Sequence, residues 1–193
     1  MAICSTTSYP FGFPSISKRP LIDILKLIVT KLKNKDKRVS SIQVDKDGAL
    51  SIYSKFMEKC HNMNTIVQTT GEYESSLNGE SEIPNKTLDN TTRALLLNSS
   101  DKKEIWFLSY QYVIWISWQT DNRLHGNVTY LLWNWSRPTY KHIKVWGVIL
   151  CIINGRVTRK NRDNISIHGY FMGYAATIGV IIYWNPHPNF LST

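Results

Sequence analysis

The chain reads as an α+β protein, and three observations lead there. Helical periodicity is confined to the early part of the sequence, strand-like runs rich in Ile, Val, Tyr and Trp fill the late part, and turn signals separate those runs at short intervals. At 193 residues, with 42% hydrophobic and 12% aromatic residues, the chain can bury a core as a single domain.

Residues 1–19 mix Ser and Thr with Pro10, Gly12 and Pro14, which favour an extended, flexible arm over a helix. Ile3, Tyr9, Phe11 and Phe13 make that arm apolar enough to bind a groove, so it is the candidate for self-association. From residue 20 to 193 a single α+β domain is expected. Pro20 suits a first helical turn, and Leu21, Ile24, Leu25, Ile28 and Leu32 recur at helical spacing, predicting a helix over 20–33.

The helix runs out into Lys31, Lys33, Lys35, Lys37 and Arg38, with only Asp36 of opposite sign among them. Cations there complement the helix dipole. Either they form a solvated helix end or they form a patch that binds polyanions. Ser41–Val44 and Ala49–Tyr53, joined by Asp45-Lys46-Asp47-Gly48, read as a β-hairpin, because Asp-Gly supplies the positive φ of a tight turn. A short helix is expected over 54–64. Residues 70–101 turn polar and acidic with Gly71, Gly79 and Pro84, and read as a long surface loop.

Strands are expected at 105–118, 128–135, 142–153, 165–171 and 174–184, on β-branched and aromatic content. Short connections between them favour an antiparallel meander. The ring-rich run 105–118 would present aromatics on both faces, as core packing or as a base-stacking surface.

Charge is distributed unevenly. Residues 1–60 hold eleven Lys/Arg against five Asp/Glu, residues 61–104 four against seven, and residues 105–193 eight against two. Two basic blocks therefore flank an acidic centre, a pattern that attracts acidic partners. In the second block Arg156, Arg159, Lys160 and Arg162 form the densest cluster, with Arg137, Lys141 and Lys144 near the preceding turn. These nine residues, Lys31 to Arg38 and Arg156 to Arg162, are the candidate polyanion or membrane contacts.

Catalytic and cofactor motifs are missing from the sequence. No phosphate-binding glycine loop and no nucleophile elbow occurs. Cys4, Cys60 and Cys151 form no C-x-x-C pair, and the five histidines share no metal-ligand spacing, so neither a zinc site nor a disulfide framework is indicated. The expectation is a non-enzymatic protein with no cofactor and no small-molecule substrate. Six glycosylation sequons stand at Asn85, Asn90, Asn98, Asn127, Asn134 and Asn164, without a signal-peptide pattern at residue 1. The longest apolar runs, 105–118 and 143–153, fall short of the ~20 residues of a membrane span. Membrane contact is expected to be peripheral.

Lys18-Arg19-Pro20 leads from an apolar arm into an amphipathic helix, Arg137-Pro138 opens a run through Ile143, Val145, Val148 and Leu150, and Ile165–Pro186 forms a late β-rich run. These three segments resemble rhabdovirus matrix proteins, the last of them the family's closing β segment. The resemblance implies a virion protein that bridges nucleocapsid and the inner face of the envelope and self-associates through its arm. Its setting would be the virion and the host cytoplasm, peripheral at membrane. A departure is the absence of the family's P-P-x-Y type budding motif, since only Tyr9-Pro10 and Pro14 stand in the arm. The alternative from another class is an RNA-binding regulator of viral or host origin. The implied partners are nucleoprotein or RNA, an anionic membrane surface, and a second copy of the chain.

Overall fold

The computed structural model describes residues 2–13, 21–44, 50–69, 75–98, 103–122, 126–153, 166–175 and 181–184. The fold is α+β, with about 49% helix and 23% strand among the described residues. The chain divides into two compact units, residues 1–3 with 11–86, and residues 4–10 with 87–193.

In the first unit, α1 (Leu21–Lys33) follows the expected boundaries. Its apolar stripe buries Leu25 and Leu32 and half-buries Ile24, Ile28 and Val29. The helix stops where Asp36 adopts left-handed backbone (φ 53), while the Lys37 N–H returns to the Leu32 carbonyl at 3.0 Å. That geometry ends a helix by satisfying its last carbonyls. Next comes β3 (Ser41–Val44), whose partner differs from the expected one. It pairs in parallel with β4 (Ile66–Thr69), Ser41 opposite Ile66, and the crossover is α2 (Leu50–Asn62).

The expected hairpin to 49–53 is therefore replaced by a βαβ unit. A parallel pair needs a crossover of a dozen or so residues, and the helix expected over 54–64 begins earlier to supply it. Phe56, Cys60 and Leu25 form this unit's core, with Val29, Ile42, Val44 and Val67 packed against them. Thr65 locks the exit from α2, its hydroxyl donating to the Val39 carbonyl at 3.1 Å.

The segment expected to be a loop at 70–101 contains α3 (Ser75–Asn98), with Pro84 inside it. Its second half holds Leu88, Leu95 and Leu96 at helical spacing, and all three join the second unit's core. The predicted strand at 105–118 is likewise a helix, α4 (Trp106–Ser117). Short β5 (Asp121–Asn122) and β6 (Asn127–Val128) pair antiparallel. The predicted strand at 128–135 is α5 (Thr129–Asn134).

The run expected at 142–153 is a strand only at its end, β7 (Ile149–Ile153), which pairs antiparallel with β8 (Ser166–Tyr174), and β8 with β9 (Ile181–Trp184). The sheet order β7-β8-β9 keeps the last three strands of the expected five-strand meander, the first two being α4 and α5.

Helix α4 packs on β8 and carries the core. Phe171 and Met172 are 0% and 1% exposed, and Tyr112 meets Phe171 edge to face at 5.7 Å and Trp146 at 5.6 Å. Burying one such ring contributes about 1.5–3 kcal/mol. Val113 and Ile114, on another side of α4, pack with Leu88 of α3.

The expected arm is folded over its described part. β1 (Ala2–Ile3) and β2 (Pro10–Phe11) form a two-stranded ribbon. Its turn is closed by hydrogen bonds from the Cys4 N–H to the Tyr9 carbonyl (2.9 Å) and from the Ser8 N–H to the Cys4 carbonyl (2.7 Å). Tyr9 stacks between Trp118 (4.5 Å between ring centres) and Trp133 (4.2 Å), and the Trp118 indole N–H donates to the Pro10 carbonyl at 3.2 Å.

Candidate nucleic-acid interface

The cations Lys31, Lys33, Lys35, Lys37 and Arg38 occupy the last turn of α1 and the reversal that follows. Lys31, Lys33, Lys35 and Arg38 are exposed and Lys37 is half-buried. Because Asp36 turns the chain back on itself, the five fall around one helix end rather than along an extended strand. Lys31 has its ammonium 5.4 Å from the centre of the Phe13 ring, a cation–π distance. Helix C-terminal carbonyls already favour positive charge here. Among the described residues this helix end exposes Lys31, Lys33, Lys35 and Arg38 with Asp36 between them, a compact cationic surface suited to phosphate groups.

The other expected sites fare differently. Arg156, Arg159, Lys160 and Arg162 lie outside the described residues. Of the four proposed self-association residues, Tyr9 and Phe11 are buried, and Ile3 and Phe13 are half-buried. Tyr9 is used in the ring stack above, so that side chain serves the chain's own packing.

One surface went unnoticed as a unit in the sequence. Between α5 and β7 the chain forms a strap, residues 135–145, that includes a short 3-10 turn at Tyr140–His142. Arg137, Lys141 and Lys144 on it are exposed, as are Trp135 (84%) and Tyr140 (54%). The strap is held from beneath. The Tyr112 hydroxyl donates to the Lys144 carbonyl at 2.6 Å, the Tyr174 hydroxyl donates to the His142 carbonyl, and the Tyr140 hydroxyl donates to the Gln119 carbonyl at 3.2 Å. The available sequence signal was the acid-free stretch from Asn122 to Arg162 with aromatics between its cations.

Among the described residues, no group of three His, Cys, Asp or Glu is placed to hold a metal, and no helix is long and apolar enough to cross a membrane. No family model and no curated protein matches the chain. Among solved structures it is similar to a chain in the cryo-EM structure of the simian T-cell lymphotropic virus intasome in complex with PP2A regulatory subunit B56 gamma. That match has 14% identity and a TM-score of 0.43, and covers 84% of this chain and 61% of that one. A likeness of this size says nothing of what this chain binds.

Proposed function

We propose that the chain is a non-enzymatic polyanion-binding protein whose partner is RNA or ribonucleoprotein. The observation that carries this reading is the cluster Lys31, Lys33, Lys35, Lys37 and Arg38 folded around the end of α1. Such a cluster gains free energy by releasing the counterions condensed on a phosphate chain. The matrix-like setting asks for more, namely a membrane contact and self-association through the arm. Tyr9 and Phe11 are engaged inside the chain, so RNA binding comes first and a matrix-like role second.

The test is fluorescence anisotropy with a labelled single-stranded RNA across a salt series. Each phosphate neutralised on a single strand contributes a slope of about −0.7 in log affinity against log salt. Replacing all five cations by Gln is expected to weaken binding at least tenfold at low salt and to flatten the slope by up to about 3.5. An unchanged affinity and slope overturns the proposal.

One observation favours a second reading, a divergent enzyme that handles phosphate with a divalent cation. The unit β3–α2–β4 is a parallel βαβ unit, and ligands of parallel sheets gather beyond the carboxyl ends of their strands. In sequence, Asp45 and Asp47 stand in the segment after β3, which lies outside the described residues, and hard cations prefer carboxylate oxygens. Calorimetric titration with Mn²⁺ decides it: saturable binding that Asp45→Asn removes supports this reading, and no binding sinks it.

A further inference from the structure

Trp135 is an expensive residue to leave in water. A tryptophan side chain is among the largest apolar surfaces a protein can bury, yet its exposure here is 84%. Its backbone is also unusual. As the residue ending α5 it adopts left-handed geometry (φ 57, ψ 21), with its N–H bonded to the Leu131 carbonyl at 2.8 Å. Bulky side chains seldom occupy that region, and they persist there where the surroundings hold them.

Three phenol hydroxyls hold the strap: those of Tyr112 and Tyr174 bond its Lys144 and His142 carbonyls, and that of its own Tyr140 bonds the Gln119 carbonyl outside it. Tyr140 therefore keeps its own ring oriented while still half open to solvent. Arg137, Lys141 and Lys144, neighbours of these rings along the strap, are all exposed. In sequence no Asp or Glu occurs between Asp121 and Asp163. A shallow cleft of about 190 Å³ beside Tyr140, lined also by Leu131, Pro138 and Arg137, has Asp121 as its acid, which repels phosphate from that end.

We propose that the strap is a base-stacking platform for single-stranded RNA, with an unpaired base on Trp135, a second aromatic surface at Tyr140, and phosphates held by Arg137, Lys141 and Lys144. The inference rests on the polyanion-binding reading for the class of partner, but it uses other residues and adds a selectivity that charge alone lacks. Lysines around a helix end attract any phosphate chain. An exposed indole rewards only bases that are free to leave their own stack, which duplex RNA withholds. Because the strap is already fixed, little ordering entropy is lost on binding.

The experiment compares the full chain with W135A, W135F, the triple variant R137Q/K141Q/K144Q, and the α1 cluster variant. The probe is a labelled uridine 12-mer, with a duplex RNA of equal length as a second arm. W135A is expected to weaken 12-mer binding by about fivefold or more, while leaving the salt slope and duplex binding unchanged. W135F should restore most of the affinity, since it restores a ring. The triple variant should flatten the salt slope by about 2. W135A binding the 12-mer within twofold of the unaltered chain overturns the inference. If only the α1 cluster variant loses binding, the strap proposal fails and the proposed function stands. If only the strap variants lose it, the α1 site fails and the strap stands. Loss of binding to phosphatidylserine vesicles in W135A, with 12-mer binding intact, would make the indole a membrane contact and overturn the RNA platform.

Discussion

Tyr9 shows most clearly what single residues do in this chain. Its ring lies between two indoles and its phenol is removed from water, so burial first, and the nearby Tyr130 second, push its pKa far above the usual tyrosine range. Burial raises Tyr110, Tyr112 and Tyr174 as well. A folded-state pKa above the unfolded one means that the fold holds these protons more tightly than the unfolded chain does. Stability from this source is therefore intact through neutral pH, and is lost above about pH 10, where the unfolded tyrosines ionise and the folded ones resist. Urea midpoints should be level between about pH 7 and 9 and clearly lower near 10.5; equal midpoints at 7 and 10.5 would contradict the burial of these phenols. From sequence, Tyr9 was read as a sticky residue awaiting a partner. The stickiness was legible, but its partners Trp118 and Trp133 were not, because nothing local links positions so far apart.

At the scale of elements, the central pairing is α4 against β8, and Gly173 is where it bends. Between Phe171 and Gly173 the β8–β9 register shifts, and Gly173 adopts φ 119, a region closed to other residues. An added Cβ would meet Tyr112 at an ordinary 3.7 Å, so the penalty of Gly173→Ala lies in the backbone rather than in a clash. We expect a loss of about 1–3 kcal/mol, read as a lowered thermal midpoint with an unchanged helix signal. An unshifted midpoint would mean that the bulge relaxes without cost.

Helix α4 itself was hidden from the sequence by its own chemistry. WFLSYQYVIWIS is apolar nearly all round, since Tyr112 faces the sheet's core while Val113 and Ile114 face α3. A helix buried on two sides loses its 3.6-residue signature, and its β-branched and aromatic content then reads as strand. The opposite happened at α1, whose single buried stripe made the period visible. For α3, Gly79, Pro84 and the sequon at Asn85 in its first half masked the leucine spacing of its second. The Asp-Gly pair at 47–48 lies outside the described residues, and local turn chemistry in any case cannot say whether the next element returns antiparallel or crosses over.

For the whole molecule, the class α+β and the last three strands of the meander were readable, because both depend on composition averaged over long windows. The division into two units was not. It cuts across sequence order, assigning residues 4–10 to the unit formed by residues 87–193. The α1 cluster was legible in full, being a run of charges, whereas only the cations of the strap were noticed and its two rings were not. Exposure is a property of the folded chain, and Trp135 resembles any core tryptophan until its surroundings are known.

The stack around Tyr9 also bears on how the protein is made. The Trp118 indole bonds to the Pro10 carbonyl across 108 residues of chain. A ribosome adding roughly 5–20 residues per second needs about 5 to 20 s to cover that distance. For that time the ring of Tyr9 has left the ribosome and its slot does not exist. Tyr9 and Pro10 are thus synthesised long before the indoles that hold them, and the Tyr9 ring stays exposed until those indoles follow.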